Sequence, residues 1–108
     1  MMEQKCIKYL MKTFGNVHHS GLTYLAKVVD KYELGEDILD VYKKVAETEH
    51  TTPAAIERAI RYYTNTWYSR VGAADLAEQF NYSLNPGQTK FVVAELIPLL
   101  KIYLEEQD

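Results

Sequence analysis

Cysteine is nearly missing from this chain. Cys6 stands alone among 108 residues, so no internal disulfide can form, and the reducing cytoplasm is the expected compartment. There is no run of about 18 apolar residues and no cleavable leader pattern, which sets aside a membrane-spanning helix and a secretory signal. Three prolines and five glycines are too few for the frequent tight turns of a sandwich or barrel. A Gly-rich phosphate loop is absent, and no nucleophile stands beside a recognisable base. Cys6, His18, His19 and His50 lack the spacing of zinc ligands. Neither an enzyme, a cofactor nor a metal site is expected.

What is present suits helices. With 47% apolar and 25% charged residues, the chain can build one core and one domain, spanning 1–108. The formal net charge of -3 counts against a general polyanion binder, because phosphate neutralisation supplies most non-specific affinity for DNA. The distribution of charge points the other way. Residues 1–42 carry -1, residues 43–70 carry +2, and residues 71–108 carry -4. A surface facing DNA has to be central in the sequence.

Helical periodicity divides the chain into about six elements. Residues 2–14 place Cys6, Ile7, Leu10, Met11 and Phe14 on one face and stop at Gly15. A second helix, about 20–32, buries Leu22, Leu25, Ala26 and Val29, and His18 and His19 form the turn before it. A third runs from Glu36 to about Thr48, with its acids first and Lys43 and Lys44 later, as the macrodipole favours. Its predicted apolar stripe is Ile38, Leu39, Tyr42, Val45 and Ala46. The fourth has the strongest start signal: Thr52 can cap orphan amides, and Pro53 suits the first helical position. A short fifth helix covers about 73–80. A sixth begins near Thr89 and contains Pro98, which removes one backbone hydrogen bond.

From Val45 to Ile60 the chain reads VAETEHTTPAAIERAI, a helix end, a tight connection and a new helix. A helix-turn-helix needs a small residue where the second helix crosses the first, and Ala46 meets that need. It needs a branched apolar anchor ten residues on, which Ile56 provides. His50 occupies the turn position usually given to Gly and must accept a positive φ. On the fourth helix, about 53–69, Ile56, Ala59, Ile60, Tyr63 and Trp67 share one side. Ala54, Arg58, Arg61 and Asn65 centre the opposite side, with Glu57 and Tyr62 flanking them. Arg can bond guanine bidentately and Glu can accept from cytosine in the major groove. The competing reading of the same face is a solvated i, i+4 pair between Glu57 and Arg61.

The stretch TTPAAIERAIRYYTNTWYSR, followed by Phe80-Asn81-Tyr82, resembles the C-terminal effector domain of the stage zero sporulation response regulator family. The likeness runs without gaps from about Val45 to Phe91 and extends loosely back to GNVHHSGLTYL at Gly15. It implies a six-helix, all-α, helix-turn-helix domain of the winged-helix-like superfamily, with no wing required, that binds promoter DNA through the fourth helix. By that resemblance Glu57, Arg58 and Arg61 face base edges or nearby phosphates; Thr51, Thr52, Ala54, Tyr62 and Asn65 complete the expected contact set. Tyr62 stands where the family has His, Ala55 where it has Arg, and the family's tryptophan falls at Tyr68, one residue after Trp67. No receiver domain is expected in this chain.

Double-stranded DNA is therefore the expected partner, with the sigma subunit of RNA polymerase implied by the resemblance. The apolar run LIPLLKIYL near the C-terminus suggests a homodimer, on the argument that a chain turned aside at Pro98 leaves Leu99, Leu100, Ile102, Tyr103 and Leu104 for a second subunit to cover, the alternative being that they pack back against Ile7 and Met11. The alternative function, from another class, is a protein-interaction module that keeps the fold and modulates a full-length DNA-binding relative. The retained arginines favour DNA; the acidic C-terminal third and the changes at Ala55 and Tyr62 favour the alternative.

Overall fold

Three of the helices begin where a side chain, in one case followed by a proline, takes over from missing backbone partners. The computed structural model describes residues 2–15 and 19–107, so His18 and the turn residues beside it lie outside the described part. Helix α1 (Met2–Thr13) is followed by α2 (Ser20–Lys31), α3 (Ile38–Thr48), α4 (Pro53–Arg70), α5 (Ala73–Gln79) and α6 (Val93–Glu105). The His19 imidazole starts α2, its Nδ1 accepting from the Gly21 amide at 2.9 Å. Asp37 caps α3 by accepting from the Leu39 amide at 2.9 Å.

That cap corrects the expected start of α3 by two residues. Glu36 stays outside the helix, where its carboxylate pairs with Lys44 at 2.6 Å and is held below the ordinary glutamate range mainly by that bond. The apolar stripe shifts with it: Val41 joins Tyr42, Val45 and Ala46 in the core, whereas Leu39 is 58% exposed.

The buried side chains form one cluster drawn from all six helices. Helix α2 lies at its centre, touching α1, α3, α4 and α6. Its first turn comes so close to α4 that a Cβ on Gly21 would stand 2.3 Å from the Ala59 carbonyl oxygen and 2.5 Å from Tyr63 Cβ. Only glycine fits that crossing.

The C-terminal segment differs from its expected course. Helix α6 starts at Val93 rather than near Thr89 and continues through Pro98 to Glu105. Leu96, Ile97, Leu100 and Leu104 are all buried in the chain's own core, and α6 packs on α1, α2 and α4. The magnitudes explain this outcome. Proline inside a helix costs about 3 kcal/mol, whereas burying each of four large aliphatic side chains contributes roughly 1.5 to 3 kcal/mol. Ala94, whose carbonyl loses its donor, is exposed, so solvent can satisfy that oxygen. Of the five residues expected to need a second subunit, Leu100 and Leu104 are covered by the chain itself, Leu99 and Tyr103 are partly buried against the core, and Ile102 is 38% exposed. Among the described residues no helix is long and apolar enough to cross a membrane.

Candidate nucleic-acid interface

The connection between α3 and α4 is built from backbone hydrogen bonds that require a left-handed residue. His50 has φ +57°. With it in place, the Thr51 amide reaches back to the Ala46 carbonyl at 2.9 Å and the His50 amide to that of Glu47 at 3.4 Å. These two bonds make a Schellman turn, which satisfies the last carbonyls of α3. Thr52 then starts α4, its Oγ1 accepting from the Ala55 amide at 3.1 Å, with Pro53 next. Ala46 and Ile56 are both buried, so the small residue and the branched anchor occupy the crossing their spacing predicts.

Burial divides α4 sharply. Ile56, Ile60, Tyr63 and Trp67 have essentially no exposed surface. On the other side Ala54, Arg58, Arg61, Tyr62 and Asn65 are exposed, with Thr52 exposed at the N-terminus and Glu57 and Thr51 partly so. The eight expected contact residues therefore fall on one continuous surface, which runs from the turn along about three turns of helix. Within it the two central arginines differ. Arg61 pairs with Glu57 at 3.0 Å. Arg58 makes no ion pair or hydrogen bond with any described residue.

Several neighbours escaped the sequence reading. Tyr62, 66% exposed, stacks on the His19 ring with centroids 5.4 Å apart and planes 24° from parallel, so the N-terminus of α2 borders the interface. No local sequence signal joins residues so far apart along the chain. Lys27 of α2 lies 3.5 Å from both Glu3 of α1 and Glu49 of the turn. Burial works to lower its pKa, but the two carboxylates outweigh it and hold the ammonium above its ordinary value. The turn is thus tied to the scaffold by charge as well as by packing. On the other flank, Tyr42 is buried beneath Glu57, and burial followed by that carboxylate pushes its phenol up to about 12. The Tyr42 ring therefore acts at neutral pH as an uncharged wall.

No solved structure matches the chain. Residues 7–104 match the family described as sporulation initiation factor Spo0A C terminal, which spans α2 to α5 entirely and most of α1 and α6. The chain belongs to that family, the DNA-binding effector domain of a sporulation regulator.

Proposed function

We propose that α4 enters the major groove of duplex DNA and reads sequence through Glu57, Arg58 and Arg61, with Tyr62, Asn65, Thr51, Thr52 and Ala54 contacting bases and phosphates around them. The observation that carries this reading is the division of α4: one face wholly committed to the core, the other presenting two arginines and an amide on a helix fixed by a helix-turn-helix connection. A groove-reading helix needs both properties, a rigid mount and a polar face that matches base-edge donors and acceptors. The positive balance of residues 43–70 supplies attraction where the helix docks.

One reading helix covers few base pairs, so the complex we infer contains two copies on adjacent half-sites with their α4 helices about 34 Å apart. The sigma subunit of RNA polymerase is the protein partner that accompanies this reading. Selection of bound duplexes from a random pool at low salt tests it. Enrichment of one motif, lost steeply as salt rises, is the expected result. A pool that stays random after repeated rounds would overturn sequence reading and favour the interaction-module alternative, in which the Glu57–Arg61 pair is a solvated surface feature.

A further inference from the structure

A cleft of about 440 Å³ opens beside the proposed reading face, between the start of α3, the flank of α4 and the segment leading into α6. Its volume falls in the range of small-molecule sites, and such sites combine apolar walls with a few placed polar groups. The walls here are Tyr42, Phe91, Val92 and Val93, and Val92 is 62% exposed at the mouth. Two cations and one carboxylate line it: Arg61, Lys90 and Glu57. Glu57 is already engaged by Arg61, whereas Lys90 has no carboxylate partner among the described residues. Helix α6 begins at the same place, and its N-cap residue Val92 offers no side-chain acceptor to the first amides, which adds donors facing the same end.

We propose that this cleft binds a small amphipathic anion, an aromatic or medium-chain carboxylate or sulfonate. Its apolar body lies against Phe91, Val92 and Val93, and its charge sits between Lys90 and Arg61. The unspent positive charge selects an anion over a neutral hydrophobe. The apolar walls select an amphipathic anion over phosphate or chloride. Arg61 belongs both to the cleft and to the reading face, so occupancy and duplex binding exclude one another. This second part rests on the DNA reading: an anion held there recruits the guanidinium and places negative charge within a Debye length of the phosphates.

The probe is 8-anilinonaphthalene-1-sulfonate, titrated by fluorescence into the full chain, with neutral N-phenyl-1-naphthylamine as its uncharged counterpart. One saturable site is expected, with the sulfonate bound about tenfold tighter than the neutral dye. Lys90→Glu should weaken the sulfonate by about tenfold while leaving the neutral dye and the melting midpoint unchanged. Ile102→Ser, in a separate cleft, should change neither. Absence of saturation, equal affinity for both dyes, or a loss caused by Ile102→Ser instead of Lys90→Glu would overturn the site. Adding a selected duplex should release the dye, and dye that stays bound under saturating duplex overturns the exclusion. Duplex affinity measured without dye reports on the DNA reading by itself, so the two failures are distinguishable.

Discussion

Phe14 and Trp67 lie face to face, with ring centroids 3.9 Å apart and planes within 4° of parallel. Tyr63 meets the same indole edge-on at 5.2 Å and donates its hydroxyl to the Gly15 carbonyl at 3.2 Å. The far half of α4 is thereby pinned to the end of α1, so the reading helix is held at both ends: by the α3 turn at its start and by this aromatic group farther along. Loss of the stack should act on the whole fold. Phe14→Ala is expected to destabilise by about 3 to 5 kcal/mol, and Phe14→Leu by much less. Urea denaturation followed by the fluorescence of Trp67, the single tryptophan, measures both. A Phe14→Ala cost under about 1 kcal/mol would show that the pin does not hold α4.

The approach of α2 to α4 at Gly21 gives a second test. An added Cβ would meet backbone and Cβ atoms of another helix, not the far end of a flexible side chain, so relief requires the helices to part. Alanine gains about 1 kcal/mol in helix propensity, yet overpacking against backbone at 2.3 Å sits at the upper end of the usual range, about 3 kcal/mol or more. Gly21→Ala should therefore lower the melting midpoint, by roughly 4 °C or more. A midpoint that rises would mean that the crossing is looser than described.

These two contacts mark the boundary of what could be read from sequence. Thr52-Pro53, the small Ala46, the branched Ile56 and the outward Arg58 and Arg61 are legible because each depends on neighbours within about ten residues and on helical period. The left-handed His50 is legible from the motif's own geometry. Phe14 and Trp67 could each be assigned to a core face, but their pairing links two helices far apart in sequence. The need for Gly21 arises only from how tightly α2 and α4 cross. Pro98 misleads for a related reason: its local cost is real, but Leu96, Ile97, Leu100 and Leu104 are buried on both sides of it, and the tertiary gain prevails. The cleft at Lys90 depends on three separated segments and leaves no local pattern.

His50 carries the local strain of the interface. A left-handed L-residue costs roughly 1 to 2 kcal/mol, and glycine removes that cost while adding freedom to the unfolded chain worth about 0.5 to 1 kcal/mol. His50→Gly is accordingly expected to be neutral or to stabilise by up to about 1 kcal/mol. His50→Val, β-branched at φ +57°, should destabilise more than any other change at this position except proline. Thermal melts rank the variants; a valine as stable as the parent contradicts the turn.

Cys6 offers a chemical probe of the core. Burial, reinforced by Asp30 and Glu3, pushes its thiol up to about 12, so the native protein holds it protonated and inert. Alkylation by iodoacetamide at pH 8 should be negligible in buffer and fast in denaturant, since thiolate is the reactive form. The linkage has a definite sign. The unfolded thiol ionises near 9 while the folded one keeps its proton, so this group's contribution to stability is lost as pH climbs from about 9 towards about 12. Rapid native labelling would place Cys6 outside the α1 core.

Arg58 and Arg61 should respond differently to truncation, because only one has an internal partner. Arg58 is exposed and unpaired among the described residues, so Arg58→Ala should leave the melt unchanged and weaken the best selected duplex by roughly 1 to 3 kcal/mol, with specificity relaxed at one base pair. Arg61→Ala removes a cation and also releases Glu57 from its 3.0 Å pair, leaving a bare carboxylate on the docking face. The stability cost is only about 0.2 to 0.5 kcal/mol, but the affinity loss should exceed that of Arg58→Ala. Adding Glu57→Gln to Arg61→Ala removes the stranded charge and should recover part of the loss, a non-additivity expected of residues in contact. If Glu57 instead accepts from a cytosine, the double variant binds worse than Arg61→Ala alone, and the selected motif loses that base pair. Filter binding at fixed salt with the three variants separates these outcomes, and equal binding by Arg58→Ala and the parent would refute direct readout by Arg58.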